Sequence, residues 1–145
     1  NTGVTAGNQI TISDNQGQGL IFDANYGVSV NDVTVVEGQA INFVVSLTQP
    51  ALVTTTVNYT YSDGTANYFT DYNASPGVLV FAPGETSKTV TFFANSDTNR
   101  ELTENFFINL TSASNVTILD NRGVATIIDN NTVPIISVSN PTVIE

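Results

Sequence analysis

The sequence predicts an all-β fold, a two-sheet antiparallel sandwich of about seven strands, and two observations support this. Val, Ile, Thr, Phe and Tyr recur in short runs in which apolar and polar residues alternate, the period of a strand with one buried face. Gly, Pro, Asn and Asp interrupt these runs at regular spacing, as turns do. No window has the periodicity of an amphipathic helix. A closed barrel remains the structural alternative.

The first three predicted strands each carry an apolar face, and they span residues 28–36, 40–48 and 53–61. In the second strand, the positions that share this face are Ile41, Phe43, Val45 and Leu47. In the third strand, the positions predicted to point inward, with threonines opposite, are Val53, Val57, Tyr59 and Tyr61. We expect Tyr59, Tyr61 and Tyr72 to serve packing, because aromatic side chains bury large apolar areas.

Four more predicted strands complete the set, at residues 77–81, 86–94, 104–111 and 123–129. Pro83 and Gly84 lie between the first two of them and predict a tight turn, because Pro fixes φ and Gly is conformationally permissive. Asp63 and Gly64 suit a turn for the same kind of reason, and a metal-binding role for Asp63 is the alternative.

The composition argues against several classes of function. The chain has 145 residues, room for one domain with additional segments, and 41% of them are hydrophobic, enough for a core. It has no Cys and no His, so it lacks thiol nucleophiles, thiolate metal sites and the commonest general base. The one close pair of acids, Glu101 and Glu104, has no Trp to stack a sugar beside it. We therefore expect no enzymatic activity.

The charge is strongly one-sided, with 13 Asp and Glu against 3 Lys and Arg, a net charge of −10. Lys88, Arg100 and Arg122 are too few to neutralise nucleic acid or an anionic membrane surface, so neither is an expected partner. No apolar run approaches the roughly 20 residues that span a bilayer. The acids serve either solubility or the binding of a hard cation such as Ca²⁺.

Short strings near the two ends of the sequence resemble strings within it. VSVNDVTVVE at residues 28–37 resembles ISVSNPTVIE at 136–145, and TISDN at 11–15 resembles TIIDN at 126–130. This pattern indicates a tandem array. It predicts the tail of a preceding repeat and a linker at 1–27, a whole unit at 28–131, and a linker with the first strand of a following repeat at 132–145. Neighbouring repeats are then the expected partners, and other copies or cell-surface ligands stay open.

Most acids of the whole unit lie where predicted strands end. Consecutive antiparallel strands place alternate connections at opposite ends of a sandwich. The acids assigned to one end are Glu37, Asp71, Asp97, Glu101 and Asp129, against Glu85 and Asp120 at the other. Two ionised carboxylates about 6 Å apart repel by about 2–3 kcal/mol at an effective dielectric near 20. Ca²⁺ offsets such repulsion better than Mg²⁺, which demands a tight octahedron; solvated loop acids are the alternative.

A set of motifs over residues 28–130 resembles the Calx-β module of Na⁺/Ca²⁺ exchangers, integrin β4 and large bacterial surface proteins. The motifs are VVEG at 35–38, DGTA at 63–66, DY at 71–72, FAPGET at 81–86, D-x-x-x-E-x-x-E-x-F at 97–106 and TIIDN at 126–130. The resemblance implies an immunoglobulin-like sandwich with Ca²⁺ bound at the loops of one end. It implies as ligands Glu37, Asp71, Asp97, Glu101, Asp129 and Asn130.

The resemblance leaves some points open. Glu104 also matches a family acid but is equally explained as a strand residue paired with Arg100. The runs of consecutive acidic residues that are typical of the family are shorter here, which implies that one Ca²⁺ ion, or two, is bound. The expected function is a calcium-binding structural and adhesion module of a large repetitive extracellular or cell-surface protein, bacterial in origin, whose calcium rigidifies the loops and the junction between repeats. A filament subunit joined by terminal strand exchange and a regulatory calcium sensor are the alternatives.

Overall fold

The computed structural model describes residues 26–132 and 136–138, and these contain strands and no helix, so none of them belongs to a helix able to cross a membrane. The strands are β1 (Gly27–Val30), β2 (Val33–Val36), β3 (Ala40–Leu47), β4 (Thr55–Asp63), β5 (Tyr72–Asn73), β6 (Gly77–Phe81), β7 (Ser87–Ala94), β8 (Glu104–Ser114), β9 (Thr117–Ile118) and β10 (Arg122–Ile128). They form a sandwich of two five-stranded sheets, which confirms the predicted fold class.

The sheets have the strand orders β5-β7-β3-β1-β9 and β2-β10-β8-β4-β6. Most neighbouring strands are antiparallel, but β1 pairs with β9 and β2 pairs with β10 in parallel. The prediction of a wholly antiparallel sandwich is therefore wrong at these two pairs, and the described strands number ten rather than seven. Two of the additional strands, β5 and β9, have two residues each, too few to show alternation in a sequence.

The third difference is that the predicted strand 28–36 is two strands, one in each sheet. The chain changes sheet at Asn31 and Asp32, and the side chains of these two residues are hydrogen-bonded to different sheets. The Asn31 side-chain oxygen accepts a hydrogen bond from the Val44 N–H of β3 at 2.6 Å. The Asp32 carboxylate accepts one from the Val124 N–H of β10 at 2.8 Å. The apolar positions shift by one residue at the crossing, from Val28 and Val30 to Val33 and Val35. A bulge within a single strand gives the same shift, so the sequence pattern alone does not reveal the change of sheet.

The core between the sheets is rich in aromatic side chains. Phe106 of β8 is fully buried and stacks on Tyr72 with ring centroids 3.7 Å apart and planes 6° from parallel. Phe43 meets Phe106 edge to face at 6.3 Å. Tyr59 and Tyr61 pack on the margin of this core, half-buried, as the sequence predicted. Aromatic pairs with these geometries add to the free energy of burial.

The predicted turn at Pro83 and Gly84 is confirmed. The Glu85 N–H donates to the Ala82 carbonyl at 3.0 Å, and Gly84 has a φ of 91°, which favours glycine. The Glu85 carboxylate accepts the Ala82 N–H at 2.7 Å and pairs with Lys88 at 2.9 Å. The one ion pair between side chains of the described residues therefore lies at this end of the sandwich.

The aromatic core generates the first testable prediction. Phe106→Ala should lower the free energy of unfolding by about 3–5 kcal/mol, because it leaves a cavity beside Tyr72 and Phe43. Phe69→Ala is the matched control, since 71% of Phe69 is exposed, and should cost about 1 kcal/mol or less. Urea denaturation of the three proteins measures both effects. Equal losses from the two variants would contradict this description of the core.

Candidate metal centre

Backbone hydrogen bonds bring the loops at one end of the sandwich together. The Glu37 N–H, just after β2, donates to Ile128 of β10 at 3.0 Å, and the Gly38 N–H donates to Ala94 of β7 at 3.1 Å. The Asn95 N–H donates to the backbone carbonyl of Asp71 at 2.9 Å. Gly38 has a φ of 80°, the left-handed conformation that lets the chain turn directly into β3. The ends of both sheets are thus fixed to one another here.

This end, called the acidic pole below, contains a cavity with six carboxylates. They belong to Glu37, Asp71, Asp97, Glu101, Glu104 and Asp129. All five carboxylates that the sequence assigned to one end are among them. The other lining residues are Thr70, Asn95, Leu102 and Ile127. The sixth predicted ligand, Asn130, lies beside Glu37 without lining the cavity, and its backbone N–H donates to Glu37 Oε1 at 3.2 Å. The structure shows this proximity, and the assignment of ligands stays a prediction.

The tightest carboxylate cluster in the described part of the chain consists of Asp71, Glu101 and Glu104. One oxygen from each lies within 4.8 Å of the other two, and all three residues are partly buried. Glu104 was outside the predicted ligand set because a pairing with Arg100 explained it equally well. In the described residues its hydrogen-bond partner is instead the Asp71 carboxylate. The spacing of Glu101 and Glu104 was the available sequence signal.

The electrostatics of this cluster disfavour ionisation. Burial, the charge of Asp71 and a hydrogen bond to it raise the pKa of Glu104 to about 7. Burial raises the pKa of Glu101 too, with smaller effects from Asp97, Asp71 and other acids of the pole. A nearby cation reverses such shifts, because it favours the charged form of each carboxylate.

On the other side of the acidic pole, carboxylates accept N–H donors. Asp129 Oδ1 accepts from the Asn131 N–H at 2.7 Å, and Oδ2 accepts from the Glu101 N–H at 2.9 Å. These two bonds lower the pKa of Asp129. Glu37 Oε1 accepts from Asn131 Nδ2 at 2.8 Å, so that this nearly buried carboxylate has a donor. Asp97 accepts the Asn99 N–H at 2.7 Å.

The loop that carries Asp71 is held from both sides. Asp71 Oδ2 accepts the Asn67 N–H at 2.6 Å within the loop. Asn95 Nδ2 donates to the carbonyls of Phe69 and Thr70 at 2.8 and 3.0 Å. Phe69 has a φ of 75°, uncommon for a bulky residue and maintained only where the surroundings enforce it. The Asp71 carboxylate is therefore positioned by contacts other than those with Glu101 and Glu104.

Asp63 supports the same loop. Its Oδ1 accepts the Tyr68 N–H at 3.1 Å and the Tyr72 hydroxyl. Burial, with the bond to Asp63, raises the pKa of Tyr72 and keeps it a donor. The turn role predicted for Asp63 is thus supported by its contacts.

The residues of the cavity fit a hard divalent cation. Three carboxylate oxygens converge at Asp71, Glu101 and Glu104, and the carboxylate of Asp97 and the amide of Asn95 line the same cavity. Ca²⁺ takes six to eight oxygen ligands and tolerates irregular geometry. No nitrogen or sulfur ligand suited to Zn²⁺ exists in a chain without His or Cys.

The model of the Calx-beta domain family matches residues 22–137. This chain belongs to the Calx-beta family. No curated protein sequence matches it. Among solved structures, CBD12 of CALX1.2 is similar over 72% of this chain, with 24% identity and a TM-score of 0.69, and the match covers 46% of CBD12, about half its length.

Two other solved structures resemble this Calx-beta domain, each with 24% identity over 72% of the chain. The apo form of Calx CBD1 has a TM-score of 0.64 and is covered to 97%. The calcium binding domain CBD12 of CALX1.1 has a TM-score of 0.67 and is covered to 46%. At these identities the likeness establishes the fold.

The raised pKa of Glu104 predicts a pH dependence of stability without metal. In EDTA, the free energy of unfolding should fall as the pH rises from about 4.5 to about 7, because the folded state retains a proton that the unfolded chain releases near 4.5. Glu104→Gln has no such proton and should flatten the slope. Urea denaturation across this range measures it.

The control for this prediction is Glu85→Gln at the opposite end of the sandwich. The pKa of Glu85 is lowered by Lys88, so its contribution to stability is lost only as the pH falls below the ordinary value. This variant should keep the wild-type slope between about pH 5 and 7. A Glu104→Gln slope parallel to the wild type would mean that Glu104 is ionised throughout.

Proposed function

We propose that the acidic pole of this Calx-beta domain binds Ca²⁺ at Asp71, Glu101 and Glu104. The observation that carries the proposal is the convergence of three carboxylate oxygens within 4.8 Å. The domain's family and the name of the similar calcium binding domain CBD12 of CALX1.1 support the choice of ion. The composition favours a binding module over an enzyme, because no residue suited to act as a neutral-pH general base is present besides the carboxylates.

Bound Ca²⁺ supplies the positive charge that lets these carboxylates ionise together. Asp71 belongs to the loop before β5, Glu101 to the loop after β7, and Glu104 to the start of β8. A shared ion therefore crosslinks elements of both sheets. The contacts of Asn95 and Asn67 keep Asp71 in place, so that little loop ordering opposes binding.

The same ion restrains the chain where it leaves the sandwich. Glu101, as a ligand, also donates its backbone N–H to Asp129, and Asn131 Nδ2 bonds both Glu37 and the Asn99 carbonyl. Fixing Glu101 therefore fixes the segment after β10. These contacts support the proposal that calcium stiffens a junction between this domain and a neighbouring repeat.

For the wider setting, we propose a structural and adhesion module in a large repetitive extracellular or cell-surface protein. Ile136 and Val138 are 89% and 87% exposed, whereas Val28 and Val30, at the matching positions of the similar string, are buried in the core. Apolar side chains left uncovered at these positions support a neighbouring repeat as partner. A filament joined by strand exchange uses the same face, and light scattering separates the two: a monomeric chain supports the array, and a polymer supports the filament.

Calcium should stabilise the domain against heat. At a free concentration one hundred times the Kd, binding adds about 2.7 kcal/mol, enough to raise Tm by several degrees over the value in EDTA. Asp71→Asn should abolish most of this difference, since it removes one of three clustered carboxylates. Thermal melts in EDTA and in millimolar Ca²⁺ measure it.

Glu85→Gln is again the control, and should keep the full calcium response because Glu85 lies at the other end and pairs with Lys88. The comparison uses the difference between the two conditions, so that a general loss of stability cancels. An unchanged wild-type Tm would refute the calcium site. Equal loss of the response in both variants would refute its location.

A further inference from the structure

Five of the six carboxylates of the acidic pole, all but Asp97, fall into two groups that differ in their contacts. The donor-bound group, Glu37 and Asp129, accepts N–H groups from the chain itself. In the converging group, Asp71, Glu101 and Glu104, one oxygen from each lies within 4.8 Å of the others, and Asp71 Oδ2 also accepts the Asn67 N–H. The two groups therefore occupy two regions of the same cavity, one with N–H donors from the chain and one with carboxylates close to one another.

In the donor-bound group, the amide residues after β10 provide most donors. Glu37 Oε1 accepts from the Asn130 N–H at 3.2 Å and from Asn131 Nδ2 at 2.8 Å. Asp129 accepts one N–H on each oxygen, from Asn131 and from Glu101. Glu37 is only 8% exposed, and a buried carboxylate is stable only when it is hydrogen-bonded or paired with a cation.

Asn131 also connects across the pole. Its Nδ2 donates a second hydrogen bond, to the Asn99 carbonyl at 2.8 Å. Both hydrogens of this amide are therefore used, one for Glu37 and one for the loop after β7. The amide group satisfies the carboxylate that a second cation would otherwise have to satisfy, and it adds no charge of its own.

We infer that the side-chain amides of Asn130 and Asn131, which donate to the Glu37 carbonyl and to the Glu37 carboxylate, replace a second cation. They thereby confine Ca²⁺ to a single ion held by Asp71, Glu101 and Glu104. A cation near Glu37 would meet amide hydrogens, which carry partial positive charge, and would have to break bonds already made. This inference rests on the proposed function and narrows its ligand set, because Glu37, Asp129 and Asn130 then position the chain rather than coordinate the ion.

The experiment counts bound ions by calorimetry and by native mass spectrometry of the whole 145-residue chain. The wild type should bind one Ca²⁺. Asn130→Asp combined with Asn131→Asp should bind two, because the side-chain amides that donate to the Glu37 carbonyl and to the Glu37 carboxylate become carboxylates. Asn121→Asp together with Asn115→Asp is the matched control: it adds the same charge at the opposite end of the sandwich and should still bind one. Circular dichroism checks that each variant is folded.

The outcomes separate this inference from the proposal on which it rests. A wild type that binds no Ca²⁺ refutes the proposed function. Two ions on the wild type overturn the inference and leave the function intact. One ion on the Asn130 and Asn131 double variant overturns it as well, since the amides are then not what excludes the second.

Single substitutions give a second measurement that does not depend on the double variant. Glu104→Gln should weaken Ca²⁺ binding by about tenfold or more, and Glu37→Gln by about threefold or less, because Gln still accepts the bonds from Asn130 and Asn131. Comparable losses from the two variants would place Glu37 in the coordination shell and overturn the inference.

Discussion

The repulsion among carboxylates at one end of the sandwich is the constraint on which the site depends. Backbone pairing, and not the acids, decides where they lie, since Glu37 and Asp71 are fixed by bonds to Ile128 and Asn95. The core of stacked aromatic rings supplies free energy of folding that offsets the repulsion among these charges. The fold thus holds the carboxylates close together, and a cation or an amide donor must then offset the repulsion between them.

The change of sheet at Asn31 and Asp32 is what completes the pole. Because β2 crosses to the second sheet and runs parallel to β10, the residues just after both strands emerge side by side. Glu37 thereby meets Asn130 and Asn131, which are distant in sequence. An uninterrupted first strand in one sheet would leave Glu37 away from the end of β10.

Strand alternation predicted the sandwich and most strand positions, because burial on one face directly shapes the sequence. Counting connections was enough to place five acids at one end. The change of sheet was not predictable, because the apolar positions shift by one residue between Val30 and Val33, and a bulge within one strand gives the same shift. Nor were the roles of Glu104 and Asn131, because a carboxylate's nearest partner and an amide's two acceptors depend on loop geometry that periodicity does not encode.

The parallel pairing of β2 with β10 also has a mechanical consequence. The chain enters β2 from β1 at Val33 and leaves β10 after Ile128, and these two points lie at opposite ends of the parallel pair. Tension on the two ends pulls the neighbouring strands in opposite directions along their length. The backbone hydrogen bonds between the two strands are then loaded in shear. They share the force over the whole register, from Val33 with Ala125 to Val36 with Ile128, and do not break one after another.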